Sequence, residues 1–470
     1  MSAPATTEKK YLKWYQKLAY GSGDLASNCS YGLVSSFVLL YLTGTLGLDS
    51  AIIGSLMLAS KVLDGISDVI FGTLIDRTHS KLGKARPWML FGQVGVSLCL
   101  FLLFAIPAGS TTMQYIYFFI VYTALNAVFY TANGIAYSSL VALITKNNNE
   151  RVQLGSFRFM FAVVTNIFMG FAVTGMVEKF GSGAAGWRTT ALIFAIVGLV
   201  VNTISCLAVK ELPEEELSDN TSEAAEEGKA VAEEKKHGFA ETAKILVHNK
   251  YYLMILAIYI VYYIMSNLTT GAGVFCATYY WGDGSLLGQF SMMKMFPVII
   301  ALAIAPVLIK KTGSMQKVNF WGYAISSVLG IPMIYFAMQK NLSMFLLFMF
   351  IKGIFAGTLS GSLNALIAEA SGYTTRTTGI HMDGMMYSCS SLGVKVGGGI
   401  GTAAVGWLLK LGGFVGTATV QSESAIRMIF NLYITFPFVI GIIITVLLAF
   451  LDVEKANKKW DAEHQKEAQA

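Results

Sequence analysis

Two carboxylates stand in an apolar stretch of this chain. In "KVLDGISDVIFGTLIDRTHSKLGKARPW", residues 61–88, Lys61, Asp64 and Asp68 fall at i, i+3 and i+7 among Leu, Ile, Val and Phe. That spacing puts all three on one face of a helix, with Gly72 continuing it. Two carboxylates a turn apart repel each other unless a cation or a proton sits between them. Lys61 compensates only one charge, so the pair reads as a site for an exchangeable cation or proton; a purely structural network is the alternative. Lys395, in "MMYSCSSLGVKVGGGIGTAAVGWLL", is the complementary charge. Small residues surround it, which favours close helix packing. A Lys–Asp contact that changes with ion occupancy is one expectation, and a lone structural counter-ion is the other.

A second set of polar residues also recurs at helical spacing. Asp24, Asn28, Tyr31 and Ser35 form one stripe, and Tyr122, Asn126, Tyr130, Asn133 and Tyr137 form another. Amide, hydroxyl and ring faces together suit a sugar, whose CH face stacks while its hydroxyls take hydrogen bonds. A tyrosine stripe alone equally serves helix packing. Arg158 adds a guanidinium fork. Further along stand Tyr263, Asn267 and Thr270, then Lys294, Lys352 and Asn364, the lysines within apolar runs. An anionic sugar would suit Arg158, Lys294 and Lys352; snorkelling to the interface is the other use of such lysines.

The elements that carry these residues are membrane helices. The chain has 470 residues, 54% hydrophobic and 13% charged, against about a quarter charged in soluble domains. Twelve apolar segments of roughly 20 residues or more recur, and backbone buried in lipid must hydrogen-bond to itself. The expected class is an all-α polytopic membrane protein with twelve transmembrane helices. Segment 11 is Gly-rich, a place for a broken helix. Lys9, Lys10, Lys13 and Lys17 precede the first segment, and Arg77, Lys81, Lys84 and Arg86 follow the second. Lys310, Lys311 and Lys317 follow the eighth, and Lys455, Lys458, Lys459 and Lys466 follow the last. The loops "TGTLGLDS" and "PAGSTTMQ" have no Lys or Arg, so both termini are expected in the cytoplasm, with the chain in the inner (plasma) membrane.

One long polar segment, 210–248, divides the spans six and six. The expected organisation is a cytoplasmic tail at 1–18, a six-helix bundle at 19–209, a cytoplasmic linker at 210–248, a second bundle at 249–451 and a cytoplasmic tail at 452–470. The ends of segments 2 and 8, "FGTLIDRTHSKLGKARPW" and "APVLIKKTGSMQKVNFWG", echo each other, as a duplicated six-helix unit would. Two such bundles are the layout of the major facilitator fold. The five cysteines show no metal or redox spacing, and the five histidines are scattered. No nucleophile–base pair is visible, so an enzyme is not expected, and neither is a cofactor or a nucleic-acid partner.

Three stretches carry a resemblance: "KVLDGISD…GTLIDRTHSKLGKARPWMLFG", "ERVQLGSFR" and "TGIHMDGMMYS….VK". In order and placement the chain resembles the glycoside–pentoside–hexuronide:cation symporters. The resemblance runs from "KLAYGSGDLASN" to "TTGIHMDGMMYSCSSLGVKVGGG". It implies that Asp64 and Asp68 bind the coupling cation, sodium or a proton, that Thr131 joins them, and that Lys395 is the matching lysine of helix 11. Lys61 takes the place of an arginine. It also marks a departure. The family's galactoside carriers have acids where this chain has Asn28 and Gly134, the latter beside Asn133, and a tryptophan where it has Ser138. Their Arg–x–Glu before helix 11 corresponds to His381–Met382–Asp383. A sugar site is implied, made of Asp24, Asn28, Tyr31, Asn126, Tyr130, Asn133, Tyr137, Arg158 and Asn267, without galactoside specificity.

The expected function is therefore cation-coupled symport of a sugar or glycoside, hexuronides included, by a monomer in a lipid bilayer. Asp76, Arg77, Lys84, Arg86, His381 and Asp383 are expected to form a cytoplasmic gate. The alternative is an uncoupled facilitator, or a carrier of another amphiphile such as a lysolipid.

Overall fold

The computed structural model describes residues 9–213, 245–380, 382–418 and 420–467. Helices dominate them: α1 (Trp14–Thr45), α2 (Ser50–Asp76), α3 (Arg86–Leu103), α4 (Thr111–Ile144), α5 (Asn148–Lys179) and α6 (Gly183–Leu207), then α7 (Lys250–Tyr280), α8 (Leu286–Thr312), α9 (Met315–Met338), α10 (Leu342–Thr378), α11 (383–411) and α12 (423–450). A last helix, α13 (Val453–Glu467), is polar. Among the described residues eleven helices are long and apolar enough to cross a membrane. The twelfth long helix is α2, whose 27 residues carry Lys61, Asp64 and Asp68.

The helix starts follow from the sequence. Asp49, Ser110, Asn147, Asn249, Ser314 and Asn341 each accept hydrogen bonds from first-turn N–H groups, which no earlier carbonyl reaches. α10 stops at Gly379, whose φ of 72° is left-handed and open to a residue without a Cβ.

The contacts divide the chain into two units. One takes the first six helices with 277–288 and 406–426; the other takes the rest of the second half. In the first unit, Leu12, Tyr20, Met89, Tyr137, Leu140, Ile144 and Leu154 form a buried cluster. In the second, Tyr251, Ile255, Leu363, Leu366, Met386, Ile444 and Leu448 do the same. The outer faces are apolar. On α2, Val62, Ile66 and Val69 are exposed, Val69 by 73%, on the side opposite the charged residues. Such a face suits lipid.

The two units repeat one device. Glu211, just after α6, accepts N–H bonds from Lys84, Ala85 and Arg86 at 2.7, 2.9 and 3.0 Å, at the start of α3. Glu454, just after α12, accepts from Ser314 Oγ at 2.5 Å and from Gln316 N at 2.9 Å, at the start of α9. Each carboxylate meets the positive end of a helix dipole. Gly83 makes the first arrangement possible, because its φ is 109° and a Cβ there would lie 2.3 Å from the Glu211 carboxyl carbon. The echo between segments 2 and 8 thus extends to the residues that close helices 6 and 12.

Candidate functional site

Asp64 lies at the centre of the first polar cluster. Its Oδ1 accepts the Thr131 hydroxyl at 2.6 Å, and its Oδ2 stands 3.5 Å from Lys61 Nζ. Asp68 follows a turn later on the same face, half-buried. Thr131 is placed by an irregularity: residues Ala124–Tyr130 form a π-helical segment, and Thr131 Oγ1 also lies 2.9 Å from the Asn126 carbonyl, so its one proton is shared between that carbonyl and Asp64. Single π turns often mark functional positions. Lys395 occupies another π segment, Gly393–Gly397. The Gly-rich helix 11 is therefore continuous through 383–411, with a π turn where a break was expected. Gly397 lets it approach α7 closely, since a Cβ there would stand 2.4 Å from the Ile260 carbonyl oxygen.

The second cluster joins α1, α4 and α5. Arg158 Nε donates to Asp24 Oδ2 at 2.5 Å, and its guanidinium lies 4.1 Å from the Tyr137 ring centroid. Asn28 accepts from Asn166 Nδ2 at 2.9 Å and donates to the Asp24 carbonyl at 2.7 Å. Tyr31 and Tyr130 stack with centroids 5.7 Å apart. The cluster thus offers a half-buried ion pair, amide groups and paired ring faces within one bundle.

The α4 stripe is divided by its π segment. Asn126 is buried and donates to the Tyr122 carbonyl, while Asn133 donates to Gln93 of α3 at 2.6 Å. Tyr137 donates to the Tyr20 carbonyl at 2.8 Å. In the second unit Asn267 donates to the Tyr263 carbonyl at 3.0 Å, beside Gly398 and Gly401 of α11.

At the basic-loop end Asp76 and Arg77 are exposed and Arg86 is buried. Arg86 donates to the carbonyls of Cys206 and Leu82 at 3.2 and 3.3 Å, so its charge is held within its own unit. Lys84 takes Glu211 through its backbone. His381 lies outside the described residues, as does most of the 210–248 segment; Asp383 opens α11, its side chain also outside them.

Three residues escaped the sequence reading. Asn166 lies two turns beyond Arg158, and that spacing was a usable signal. Gln93 stands alone in an apolar run and gave none beyond its polarity. Glu211 sits among other acids of a polar segment, where a carboxylate attracts no notice.

A sequence model described as "MFS/sugar transport protein" matches residues 19–455. The isoprimeverose transporter of Lactiplantibacillus pentosus is 26% identical, over all of this chain and 96% of its own length. The inner membrane symporter YicJ of Escherichia coli (strain K12) is 24% identical, over 92% of this chain and 90% of that one. Among solved structures, a D-xylose–proton symporter superposes with a TM-score of 0.64 at 12% identity, covering 94% of this chain and 98% of the other. That last likeness concerns the fold.

Proposed function

This chain belongs to the MFS/sugar transport protein family, and from that premise we propose that it moves a sugar or glycoside together with a coupling cation by alternating access. It is a multi-pass membrane transporter and not an enzyme. One observation carries the coupling: Asp64, with Thr131 at 2.6 Å and Lys61 at 3.5 Å, shares its helix face with Asp68. Two carboxylates and a hydroxyl supply the oxygen ligands that a hard cation takes, and a proton would neutralise the same pair. The ion is sodium or a proton.

The sugar lies against Asp24, Arg158 and Tyr137, with Asn28 and the Tyr31–Tyr130 rings beside them, and with Asn126, Asn133 and Asn267 as further polar contacts. Cation and sugar each raise the affinity for the other, as linkage requires. Lys395 senses the charge state of the acids. Asp76, Arg77, Lys84, Arg86, His381 and Asp383 govern the cytoplasmic side, with both termini there and the monomer as the working unit.

Counterflow-free uptake into proteoliposomes tests this. Isoprimeverose, other pentosides, neutral disaccharides and uronides are offered under an imposed sodium or proton gradient. One coupled charge at 100 mV supports about a 50-fold accumulation. Asp68→Asn is expected to bring accumulation down to equilibration while sugar still enters. Unchanged accumulation in Asp68→Asn at equal protein level would sink the coupling claim.

A further inference from the structure

A cavity of about 180 Å³ lies inside the second unit, walled by α7, α8, α9, α10 and α12. α11, which carries Lys395, contributes nothing to its lining. Lys294 of α8 and Lys352 of α10 both line it, and among the described residues no Asp or Glu does. Lys294 Nζ donates to the hydroxyls of Thr269 and Thr270, both at 3.3 Å. Lys352 has no hydrogen-bond or ion-pair partner among the described residues. Tyr262 and Ser360, also in the lining, share a hydroxyl hydrogen bond of 2.8 Å.

Neither lysine is placed to snorkel. At a rise of about 1.5 Å per residue, Lys294 falls about 12 Å along α8 from Leu286 and Lys352 about 15 Å along α10 from Leu342. Half of a hydrocarbon core of roughly 30 Å is about that depth, beyond the reach of a four-carbon stem to the interface. Two ammonium groups at mid-depth, Lys294 with two neutral hydroxyls and Lys352 with no partner among the described residues, repel each other and lack solvation. Such groups need a partner, and the cavity between their helices has room for one.

We infer that this cavity binds a small carboxylate anion between Lys294 and Lys352. A carboxylate offers about four lone-pair sites, and the two ammoniums with the Tyr262 and Ser360 hydroxyls supply donors for them. Most of the remaining wall is apolar, with Met293, Met349 and Phe438, although Ser266, Ser326 and Ser327 also face it; the apolar part suits a short hydrocarbon tail. The volume sets the size. It exceeds what one water needs but lies below the roughly 300–1,000 Å³ of pockets for drug-sized ligands. The site is separate from the acids of α2, so it stands or falls independently of the coupling claim.

The test uses the full-length protein in phosphatidylcholine nanodiscs, with butyrate replacing chloride at constant sodium and ionic strength. Binding raises the melting temperature by an amount set by concentration over affinity. The expected result is a saturable rise that persists in Asp68→Asn. The apparent affinity for butyrate should be about tenfold weaker or worse in Lys352→Met, and largely kept in Lys352→Arg, which also serves should Lys352→Met not fold. Glucuronate, run in parallel, distinguishes a free carboxylate from one carried on a monosaccharide; competition between the two supports the site. Equal melting in butyrate and chloride overturns the proposal, and so does an equal shift in wild type and Lys352→Met. A shift seen only on exchanging phosphatidylcholine for phosphatidylglycerol overturns it too, because the lysines then serve a lipid headgroup.

Discussion

In the first unit the intramembrane acids have basic neighbours: Lys61 stands 3.5 Å from Asp64, and Arg158 2.5 Å from Asp24. In the second unit Lys294 and Lys352 line a cavity to which no acid among the described residues contributes. Charge in hydrocarbon is costly in both places, yet it is met differently. The first unit builds pairs of acid and base, and Asp68 shares the α2 face of Lys61 and Asp64. The second places two cations against a cavity, one of them held only by the neutral hydroxyls of Thr269 and Thr270. The difference points to where each unit receives a mobile species. A cation, by the reading above, belongs beside the acids of α2, and an anion beside the lysines of the cavity.

The largest effect expected from breaking that contrast is at Arg158. Removing one member of a buried ion pair costs about 3–5 kcal/mol. The Arg158 and Asp24 side chains are 25% and 18% exposed, so solvent screening lowers the figure to about 2–3 kcal/mol. Arg158→Gln is therefore expected to lower the melting temperature. Because the guanidinium also holds the sugar in the reading above, losing a charge-assisted hydrogen bond of about 2–3 kcal/mol is expected to cut uptake on the order of 100-fold. Asp24→Asn added to it should restore melting temperature but not uptake, because the double variant removes the stranded charge without returning the fork. Uptake within about twofold of wild type in Arg158→Gln would mean that this cluster serves the bundle and not the sugar.

How much of this was legible depends on what a periodic sequence conveys. Lys61, Asp64 and Asp68 share a face because α2 is a regular helix throughout 50–76, and its spacing alone shows it. The α4 stripe was legible only up to its π segment. A π turn holds more residues than 3.6, so it rotates everything after it. Tyr130 consequently meets Tyr31 while Asn133 meets Gln93 of α3, although all share the ideal stripe. The twelve-helix layout was legible because lipid leaves the backbone so few choices. The grouping of 277–288 and 406–426 with the first six helices was not, since composition is silent about which neighbour a loop touches. Nor were Glu211 and Glu454, whose partners are more than a hundred residues away in sequence. A carboxylate that caps a distant helix has no local signature.

Those two glutamates sharpen the comparison, because here the units agree. Glu211→Gln and Glu454→Gln each replace a charge-assisted cap by a neutral one at a helix start. Each is expected to lower stability by about 1–2 kcal/mol, read as matching shifts in melting temperature. Glu454 is buried and Glu211 only half-buried, so the loss should be greater at Glu454. A loss at one position and none at the other would show that the repeat is one of shape and not of energetics.

The smallest effect belongs to a surface pair of the first unit. Lys410 Nζ stands 2.6 Å from Asp49 Oδ2, while Asp49 Oδ1 accepts Ala51 N at 2.9 Å and so also starts α2. Partial burial pushes the Asp49 carboxyl up, but Lys410 and the two N–H donors outweigh it and hold it below its usual range. A carboxyl held low in the folded protein adds stability above its unfolded pKa, about 3.9, and that contribution fades as pH falls through the lower folded value. Lys410 is 58% exposed, so solvent screens the pair and its contribution is small. Melting should therefore be insensitive to this pair between pH 7 and pH 5. Below about pH 4 part of the acid-induced loss should disappear in Asp49→Asn, which keeps the cap but cannot titrate. High salt should shrink the difference, because an exposed ion pair is screened. An acid profile identical in wild type and Asp49→Asn would leave the N–H bonds at the start of α2 as the whole contribution of this residue, and the lysine as a bystander.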